Sequence, residues 1–336
     1  MSTGVRSAAG RTIDTGGAGP VTALLQAVRM IKNEALEVVA IVAADCVGSM
    51  DGGEFLEEAD GIFRKLQPVR SRTVESPAIP HGYGAVTEYQ MRTYGVTRDQ
   101  LRMAVCLQSL HAGLRSDSLY YQKAVRGSRW TGEALPSILY TSLEEVRRAP
   151  PIAPNISLPE CARRADGAAC VILASNRFLR RRGLYQPGLP TFIGGGEASG
   201  PLYPPDEIDE SMFSCEEAMS YAFSEAGILS HEDIDFFCLY DCFPVCLVRA
   251  LEAAGLCQKG QGGVYLEEQY LRMTAALSRG ADGLERLLQD ETYVPINTHG
   301  GLLCYGAPWE VPAMYNIVEA VRQLRGESTG RQIKNC

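Results

Sequence analysis

Apolar and polar residues follow one another in blocks that predict strands and helices in turn. Residues 13–18 read as the end of a strand. After Pro20, apolar residues recur every three or four positions as far as Ile31, which predicts a helix over 20–32. The apolar run 38–44 follows and is typical of a strand buried on both faces. This strand–helix–strand order predicts a parallel sheet.

The same alternation returns in the second half of the chain, which predicts two similar α/β halves at 1–175 and 176–336. Gly255 and Gly326 are the predicted stops of two of its helices. The expected strands are 166–175, 190–199, 233–243 and 294–303, and the expected helices are 211–226, 243–254, 269–288 and 312–325.

Residues 47–160, called the excursion below, interrupt this alternation. They include a predicted helix at 97–112 and a proline-rich exit at 149–154. An excursion of this length between strands predicts a small loop subdomain that covers a site.

Composition narrows the classes of function. The chain has 336 residues, 46% of them apolar, and a net charge of -8, so we expect no nucleic-acid partner. The longest apolar run, 38–44, is far shorter than the roughly 20 residues that span a bilayer, so we expect a soluble protein. Eleven cysteines without paired spacing indicate reduced thiols inside a cell, in the mitochondrial matrix or the cytoplasm. No histidine spacing predicts a metal site.

Three turns fall where predicted strands end, which is where open α/β sheets bind ligands. They are TGGAG at 15–19, YDCF at 240–243 and NTHGGLLCYGAP at 297–308. If the two halves face each other, the three turns converge.

The motifs DIDFFCLYDCF, GLCQKGQGG and INTHGGLLCYGAPWEVPAM, together with YGVTRDQL and RADGAACVILAS, resemble the thiolase superfamily. The resemblance covers nearly the whole chain and is strongest to sterol-carrier-protein-type thiolases and to thiolase-like proteins with a YDCF motif. It implies a five-layered αβαβα thiolase fold, a coenzyme A thioester as substrate with no bound cofactor, and a homodimer. The first and last strands of that fold have no counterpart here, which predicts a truncated chain or a reduced fold.

Two departures from this family concern its chemistry. The resemblance places the nucleophilic cysteine of thiolases at Gly17 and the activating histidine of their Gly-His-Pro motif at Ala307. Tyr240 replaces a histidine, whereas Cys242 matches a second catalytic cysteine. An acyl-enzyme route is therefore not expected at position 17.

An oxyanion site can remain without the nucleophile. We expect Tyr240 as oxyanion donor or acid, Cys242 as proton shuttle and His299 as a further catalytic side chain. Asp241 is expected mainly to cap the helix that follows it. The remaining expected substrate and oxyanion positions are Phe243, Asn297, Gly300, Gly301 and Gly306.

Such a site predicts cleavage at the β-carbon of an acyl-CoA, by retro-aldol reaction or decarboxylation, in lipid or sterol metabolism. Superfamily members without the cysteine include aldolases that work with a small zinc-containing OB-fold partner, and the resemblance implies such a partner here. Two alternatives remain open: a non-catalytic acyl-CoA-binding subunit or scaffold, and an acyltransferase with a displaced nucleophile. Arg180 to Arg182 form a surface run that could meet the phosphates of coenzyme A. The charged residues of the two central helices, Arg29, Glu319 and Arg322, are expected to pair near solvent.

Overall fold

A computed structural model describes most of the chain. The described residues are 10–33, 36–66, 75–136, 138–201, 207–290, 292–328 and 331–333.

Helices dominate the described residues. The helices are α1 (Gly19–Asn33), α2 (Gly52–Leu66), α3 (Ala78–Tyr94), α4 (Arg98–Gly113), α5 (Leu119–Thr131), α6 (Leu143–Arg148), α7 (Asn176–Arg181), α8 (Cys215–Ala226), α9 (Pro244–Ala253), α10 (Gly262–Leu277), α11 (Ala281–Leu288) and α12 (Pro312–Leu324). The strands are β1 (Val38–Cys46), β2 (Pro151–Ala153), β3 (Ile156–Ser157) and β4 (Asp166–Ala174), and a π-helical turn covers Gly301–Tyr305.

The main sheet pairs β1 with β4, and the pairing is antiparallel, from Val38 opposite Ala174 to Cys46 opposite Asp166. The prediction of a parallel sheet is therefore wrong for these two strands. The excursion between them leaves from the end of β1 and returns to the same end of the sheet, so β4 must run the other way.

Among the described residues, one face of this sheet is covered, by α1 and α12, and the other is not. On the other face Val42 is 70% exposed and Ile172 is 68% exposed. The expectation of a strand buried on both faces is wrong, because alternate side chains of an apolar strand point to opposite faces and only one face has a partner in the part of the chain that the structure describes.

The strands expected at 190–199, 233–243 and 294–303 do not form a regular sheet among the described residues. A parallel bridge joins Phe237 to Ile296, with Phe237 N donating to Pro295 O over 3.1 Å. The pairing stops at Asn297, which has a φ of 53° and accepts from Leu239 N through its side-chain Oδ1 over 2.7 Å. In the 190–199 segment the backbone packs directly on α8, where a Cβ on Gly196 would stand 2.7 Å from Ala222 N.

The helix predictions are largely confirmed at α1, α4, α8, α9 and α12. The expected single helix at 269–288 is instead the pair α10 and α11, which Gly280 separates with a φ of 74°. This left-handed conformation favours glycine and ends a helix.

Helix α4 forms the centre of the larger core, although it belongs to the excursion. It begins at a capping box between Thr97 and Gln100 and is buried almost continuously from Leu101 to Ala112. It packs against α9, α10 and the π-helical turn. The excursion therefore supports the turn at 297–308 from behind.

The two helices α1 and α12 pack against each other, and their charges are paired as expected, but not all near solvent. Arg29 is exposed and faces Glu197 at 3.5 Å, and Arg322 is half-buried and faces Asp117 at 3.8 Å. Glu319 of α12 is only 1% exposed, so the expectation that it lies near solvent is wrong. Burial is tolerated because two guanidinium groups and a hydroxyl surround its carboxylate.

These partners of Glu319 come from three parts of the chain. Arg115 donates to its carboxylate over 2.6 Å, Arg331 over 3.1 Å and Thr298 over 2.6 Å. Burial raises the pKa of Glu319, but the hydrogen bonds from Arg331 and Thr298 outweigh it and bring the pKa to about 2. The carboxylate is therefore charged in the folded protein at neutral pH.

We expect Glu319→Gln to lower the free energy of unfolding at pH 7 by about 3 kcal/mol, because two buried arginines lose their counter-charge. A lowered folded-state pKa stabilises the fold above the unfolded pKa and stops doing so as the pH falls through the folded value. The deficit of the variant should therefore shrink between pH 4.5 and 2. Urea unfolding across that range measures it. The exposed Glu327→Gln is the control, with an expected change below about 0.5 kcal/mol.

Candidate active site

The turns at 240–243 and 297–308 lie side by side because residues 162–164 hydrogen-bond to both. Ala162 N donates to Cys242 O over 2.9 Å, and Arg163 N donates to Leu302 O over 3.1 Å. On its other side, Arg163 O accepts from Ala307 N over 2.7 Å. Two turns that are distant in the sequence are thus fixed relative to each other by backbone groups.

Asp241 connects the same two turns through its side chain. Its carboxylate is fully buried and accepts from Leu302 N over 2.7 Å. A Cβ on Gly301 would stand 2.5 Å from Asp241 Cγ, so only glycine admits the carboxylate there. Asp241 was expected to cap the helix after it, but it caps the π-helical turn instead. Burial raises its pKa to about 7.

Asn297 and Gly300 set the entry to this turn. Asn297 has a φ of 53°, and its Oδ1 accepts from Leu239 N over 2.7 Å. Its side chain also favours the charged form of Asp241 and so lowers the pKa of that carboxyl group. Gly300 has a φ of 104°, and a Cβ there would stand 2.5 Å from Ala112 Cβ of α4. These positions shape the backbone of the turn.

Tyr240 lies directly over Gly17, at the start of α1. A Cβ on Gly17 would stand 2.6 Å from Tyr240 Cζ and closer still to the hydroxyl. The phenol therefore fills the space into which a side chain at position 17 would project. Burial, with Cys242 and Cys246 next in importance, raises the pKa of Tyr240 far above its ordinary value. The hydroxyl stays protonated and can donate a hydrogen bond.

Glu310 is a candidate that the sequence analysis missed. Its carboxylate oxygen would lie 3.8 Å from a Cβ on Gly19, at the same end of α1, and its charge also raises the pKa of Tyr240. Partial burial and the carboxylates of Asp14 and Asp45 raise the pKa of Glu310. Its position three residues after Ala307, just beyond the turn at 297–308, was the available sequence signal.

Cys242 faces a second thiol and a phenol. Its Sγ lies 3.5 Å from Cys246 Sγ. The Tyr83 ring stacks on Phe243 with centroids 4.4 Å apart, and the neighbouring thiols of Cys242 and then Cys246 raise the pKa of Tyr83. Tyr83 belongs to α3 in the excursion, and no sequence pattern indicated it. Cys242 is therefore held on the α9 side of Tyr240.

His299 lies apart from these groups. It lines a cavity of about 220 Å³ with Arg115, Tyr305 and Arg322, and none of Tyr240, Cys242 or Gly17 lines that cavity. Burial lowers the pKa of His299 to about 4, so the imidazole is neutral at pH 7. The structure thus brings together Tyr240, Cys242 and the turn glycines, but it places His299 on the opposite side of the turn.

Gly306 and Ala307 form the outer end of the site. Gly306 has a φ of 138°, and a Cβ on it would stand 3.2 Å from Ala165 Cβ and 3.6 Å from Leu119 Cβ. Ala307 is buried and forms a bridge with Arg164. Within the described ranges, no group of three or more His, Cys, Asp or Glu side chains could hold a metal ion, and no helix has the length and apolar composition of a membrane span.

Comparison with known proteins supports the resemblance. Residues 206–336 match the family model "Thiolase C-terminal domain-like". The chain is 27% identical over 259 residues to an acetyl-CoA acetyltransferase of Methanothermobacter thermautotrophicus, covering 76% of this chain and 57% of that protein. It is 30% identical over 201 residues to the sterol carrier protein 2 of Oryctolagus cuniculus, covering 57% of this chain and 32% of that protein. The chain thus spans about half, or less, of the length of these relatives.

Solved structures show the fold. The structure titled "Ltp2-ChsH2(DUF35) aldolase" superposes with a TM-score of 0.66 at 24% identity and covers 94% of this chain and 72% of the other. The human mitochondrial 3-ketoacyl-CoA thiolase gives a TM-score of 0.57 at 15% identity, with 93% and 71% covered. The chain therefore has the thiolase fold, as predicted.

The contact between Gly17 and Tyr240 predicts a large coupling between the two positions. Gly17→Ala should destabilise the protein by about 1–3 kcal/mol, because the new methyl group overlaps the phenol. In a Tyr240→Ala background the same change should cost nearly nothing. A double-mutant cycle from urea unfolding measures the coupling. Gly10→Ala is the control, since nothing lies within 4 Å of a Cβ there. Equal costs of Gly17→Ala in both backgrounds would contradict this geometry.

Proposed function

We propose that this chain, which has the thiolase fold and resembles an acetyl-CoA acetyltransferase and sterol carrier protein 2, acts on an acyl-CoA and cleaves the bond to the β-carbon by stabilising a thioester enolate. The observation that carries this proposal is the Tyr240 hydroxyl above Gly17. A proton donor occupies the place from which, by resemblance, thiolases present their nucleophile.

Thiolysis at this place is disfavoured by the residues themselves. Gly17 has no side chain to form an acyl-enzyme, and Ala307 has no base to activate one. One of the relatives is named an acetyl-CoA acetyltransferase, so an acyltransferase with a displaced nucleophile is the alternative function. Cys242 and Cys246 are the candidate nucleophiles for that alternative, because both lie near Tyr240, and their Sγ atoms are 3.5 Å apart.

Enolate stabilisation requires donors that face the thioester oxygen. The protonated Tyr240 hydroxyl is one such donor. The start of α1, a helix of 15 residues, lies at the same place and contributes the positive end of its dipole, whereas its own N–H groups at Gly19, Val21 and Thr22 already donate to Gly16 O and Ala18 O. An oxyanion held between them needs no covalent bond to the protein.

Glu310 supplies the base in this proposal. Its raised pKa makes it a stronger proton acceptor than an ordinary glutamate, and it lies beside the same helix end. In the retro-aldol reaction the carboxylate removes the proton of the β-hydroxyl group and the Cα–Cβ bond breaks. The bonding electrons move to the thioester enolate, which is then protonated at Cα. The products are a ketone or aldehyde and a shortened acyl-CoA.

The structural neighbour titled an aldolase supports this class of reaction, because its fold covers 94% of this chain. Its title also names two proteins. We include in the proposal that this chain works with a partner, a small zinc-containing OB-fold protein as the resemblance implies, and forms a homodimer. Decarboxylation of a β-carboxyacyl-CoA produces the same enolate and is the second reaction to test.

The first test incubates the protein with a β-hydroxyacyl-CoA, malonyl-CoA, or acetoacetyl-CoA plus coenzyme A, and reads the products by mass. We expect cleavage of the first substrate, and Tyr240→Phe should lower turnover roughly 100-fold or more with little change in binding. Thiolysis of acetoacetyl-CoA would contradict the proposal. Binding without any product would favour the non-catalytic subunit instead.

A second test addresses Glu310. Glu310→Gln should lower turnover roughly 100-fold and remove the acidic limb of the pH–rate profile, because the amide cannot accept the hydroxyl proton. Since the pKa of Glu310 is raised, that limb should lie above the ordinary range of a glutamate. The exposed Glu54→Gln is the control and should leave the profile unchanged. An unchanged acidic limb in Glu310→Gln would assign the base elsewhere.

A further inference from the structure

One face of α5 carries an ordered set of side chains. Leu119, Lys123, Arg126 and Trp130 follow one another at spacings of four, three and four, so they lie in one row along the helix. Leu119 begins the row against Gly306, where a Cβ would stand 3.6 Å from its own. At 1.5 Å per residue the row extends about 16 Å outward from the candidate site.

A surface of rings and guanidinium groups connects this row to Glu310. Trp309, next to Glu310, packs edge-on against Phe55 with centroids 5.4 Å apart. The Arg164 guanidinium lies 4.5 Å from the Phe55 ring. Arg163, beside it, lies 5.4 Å from the ring of Tyr120 on α5. These contacts form a continuous path from the start of α1, beside Glu310, to α5.

The cations along this path repel one another. The two arginines beside α5 have other partners, since Arg163 donates to Leu303 O over 2.9 Å and the charge of Arg164 is attracted to the Asp51 carboxylate. Partial burial and then Arg163, Arg164 and Arg126 lower the pKa of Lys123. No ion pair among the described residues involves any of these four cations. In a chain of net charge -8, a cluster that repels itself is a place for a bound polyanion.

The other run of arginines is already occupied. Arg181 pairs with Glu37 through two hydrogen bonds of 2.7 and 2.5 Å, and Arg180 stacks on Tyr185 at 3.9 Å. These contacts hold the run against its own surface. The expectation that it meets coenzyme A phosphates therefore has less support than the row on α5.

Trp130 ends the row and is 93% exposed. An indole left in water beside cations offers a flat surface on which a nucleobase can stack, a contact typically worth about 1–3 kcal/mol. Two cations followed by a stacking ring match a nucleotide with its phosphates.

We propose that α5 binds the nucleotide portion of the coenzyme A thioester. Lys123 and Arg126 contact its phosphates, Trp130 stacks on the adenine, and the pantetheine arm leads past Leu119 and Gly306 to Tyr240. This inference rests on the proposed function only for the choice of a coenzyme A ester. A basic helix with an exposed tryptophan can also bind an anionic membrane surface, and the continuity with the site favours the nucleotide.

Calorimetric titration with coenzyme A and with 3′-dephospho-coenzyme A tests the assignment without turnover. The unmodified protein should bind coenzyme A about 10-fold more tightly, in line with a charge-assisted hydrogen bond to the extra phosphate. Lys123→Gln combined with Arg126→Gln should abolish that preference. Trp130→Ala should weaken both ligands equally, by about 10-fold, and binding should quench the indole fluorescence of the unmodified protein. The control is Arg129→Gln. At 100° per residue, Arg129 lies about 80° around the helix from Leu119, the first residue of the row, and its replacement should change nothing.

The possible results separate the two proposals. Coenzyme A binding that is equal in all variants would overturn the α5 assignment and leave the proposed reaction standing. An α5-dependent preference in a protein without turnover would support the subsite and count against the reaction. Absence of coenzyme A binding would overturn both. Binding of vesicles with 30% phosphatidylserine that needs Trp130, without a preference for the 3′-phosphate, would identify α5 as a membrane contact instead.

Discussion

The candidate site depends on one buried carboxylate. Asp241 follows Tyr240 directly in the chain and accepts a hydrogen bond from Leu302 N, so the phenol and the π-helical turn keep a fixed relation. Gly301 is needed for the same contact, since any Cβ would meet the carboxylate. The buried helix α4 supports the turn from behind through the close approach of Gly300 to Ala112. A hydrogen bond between two turns that are distant in the sequence thus determines the position of a side chain that acts at the start of α1.

The turn has two sides with different chemistry. One side presents Tyr240 to the start of α1, with Glu310 beside it. The other side carries Thr298 and His299 to Glu319 and the cavity next to Arg115. Charges on the second side are paired within the protein, whereas the first side keeps a protonated phenol and a carboxyl group available. This separation explains why His299, one residue from the turn glycines, does not join the site.

The sequence predicted best what short-range rules determine. Pro20 is the second residue of α1, and α12 begins at Pro312 and stops before Gly326, so their extents follow from local backbone preferences. The turns at 15–19, 240–243 and 297–308 were also located from local sequence, because each carries a short motif. The strand direction was not predictable from the order of elements, because it depends on where the long excursion returns. Tyr83 and Glu310 were missed because no periodicity or motif marks a side chain that reaches the site from another element. The burial of Glu319 likewise requires Arg115 and Arg331, which are distant in the sequence.

Asp241 and Glu319 are both buried carboxyl groups, and their pKa values move in opposite directions. Glu319 has its pKa lowered to about 2, so its charge stabilises the fold at neutral pH. Asp241 has its pKa raised from 3.8 to about 7, so the folded state binds a proton more readily than the unfolded chain. Its contribution to stability must fall as the pH rises from 4 to 7. Stability alone would not favour a carboxylate at position 241. Its presence is explained by the contact with Leu302 N, which holds Tyr240 over Gly17 and thereby fixes the geometry on which the proposed chemistry depends.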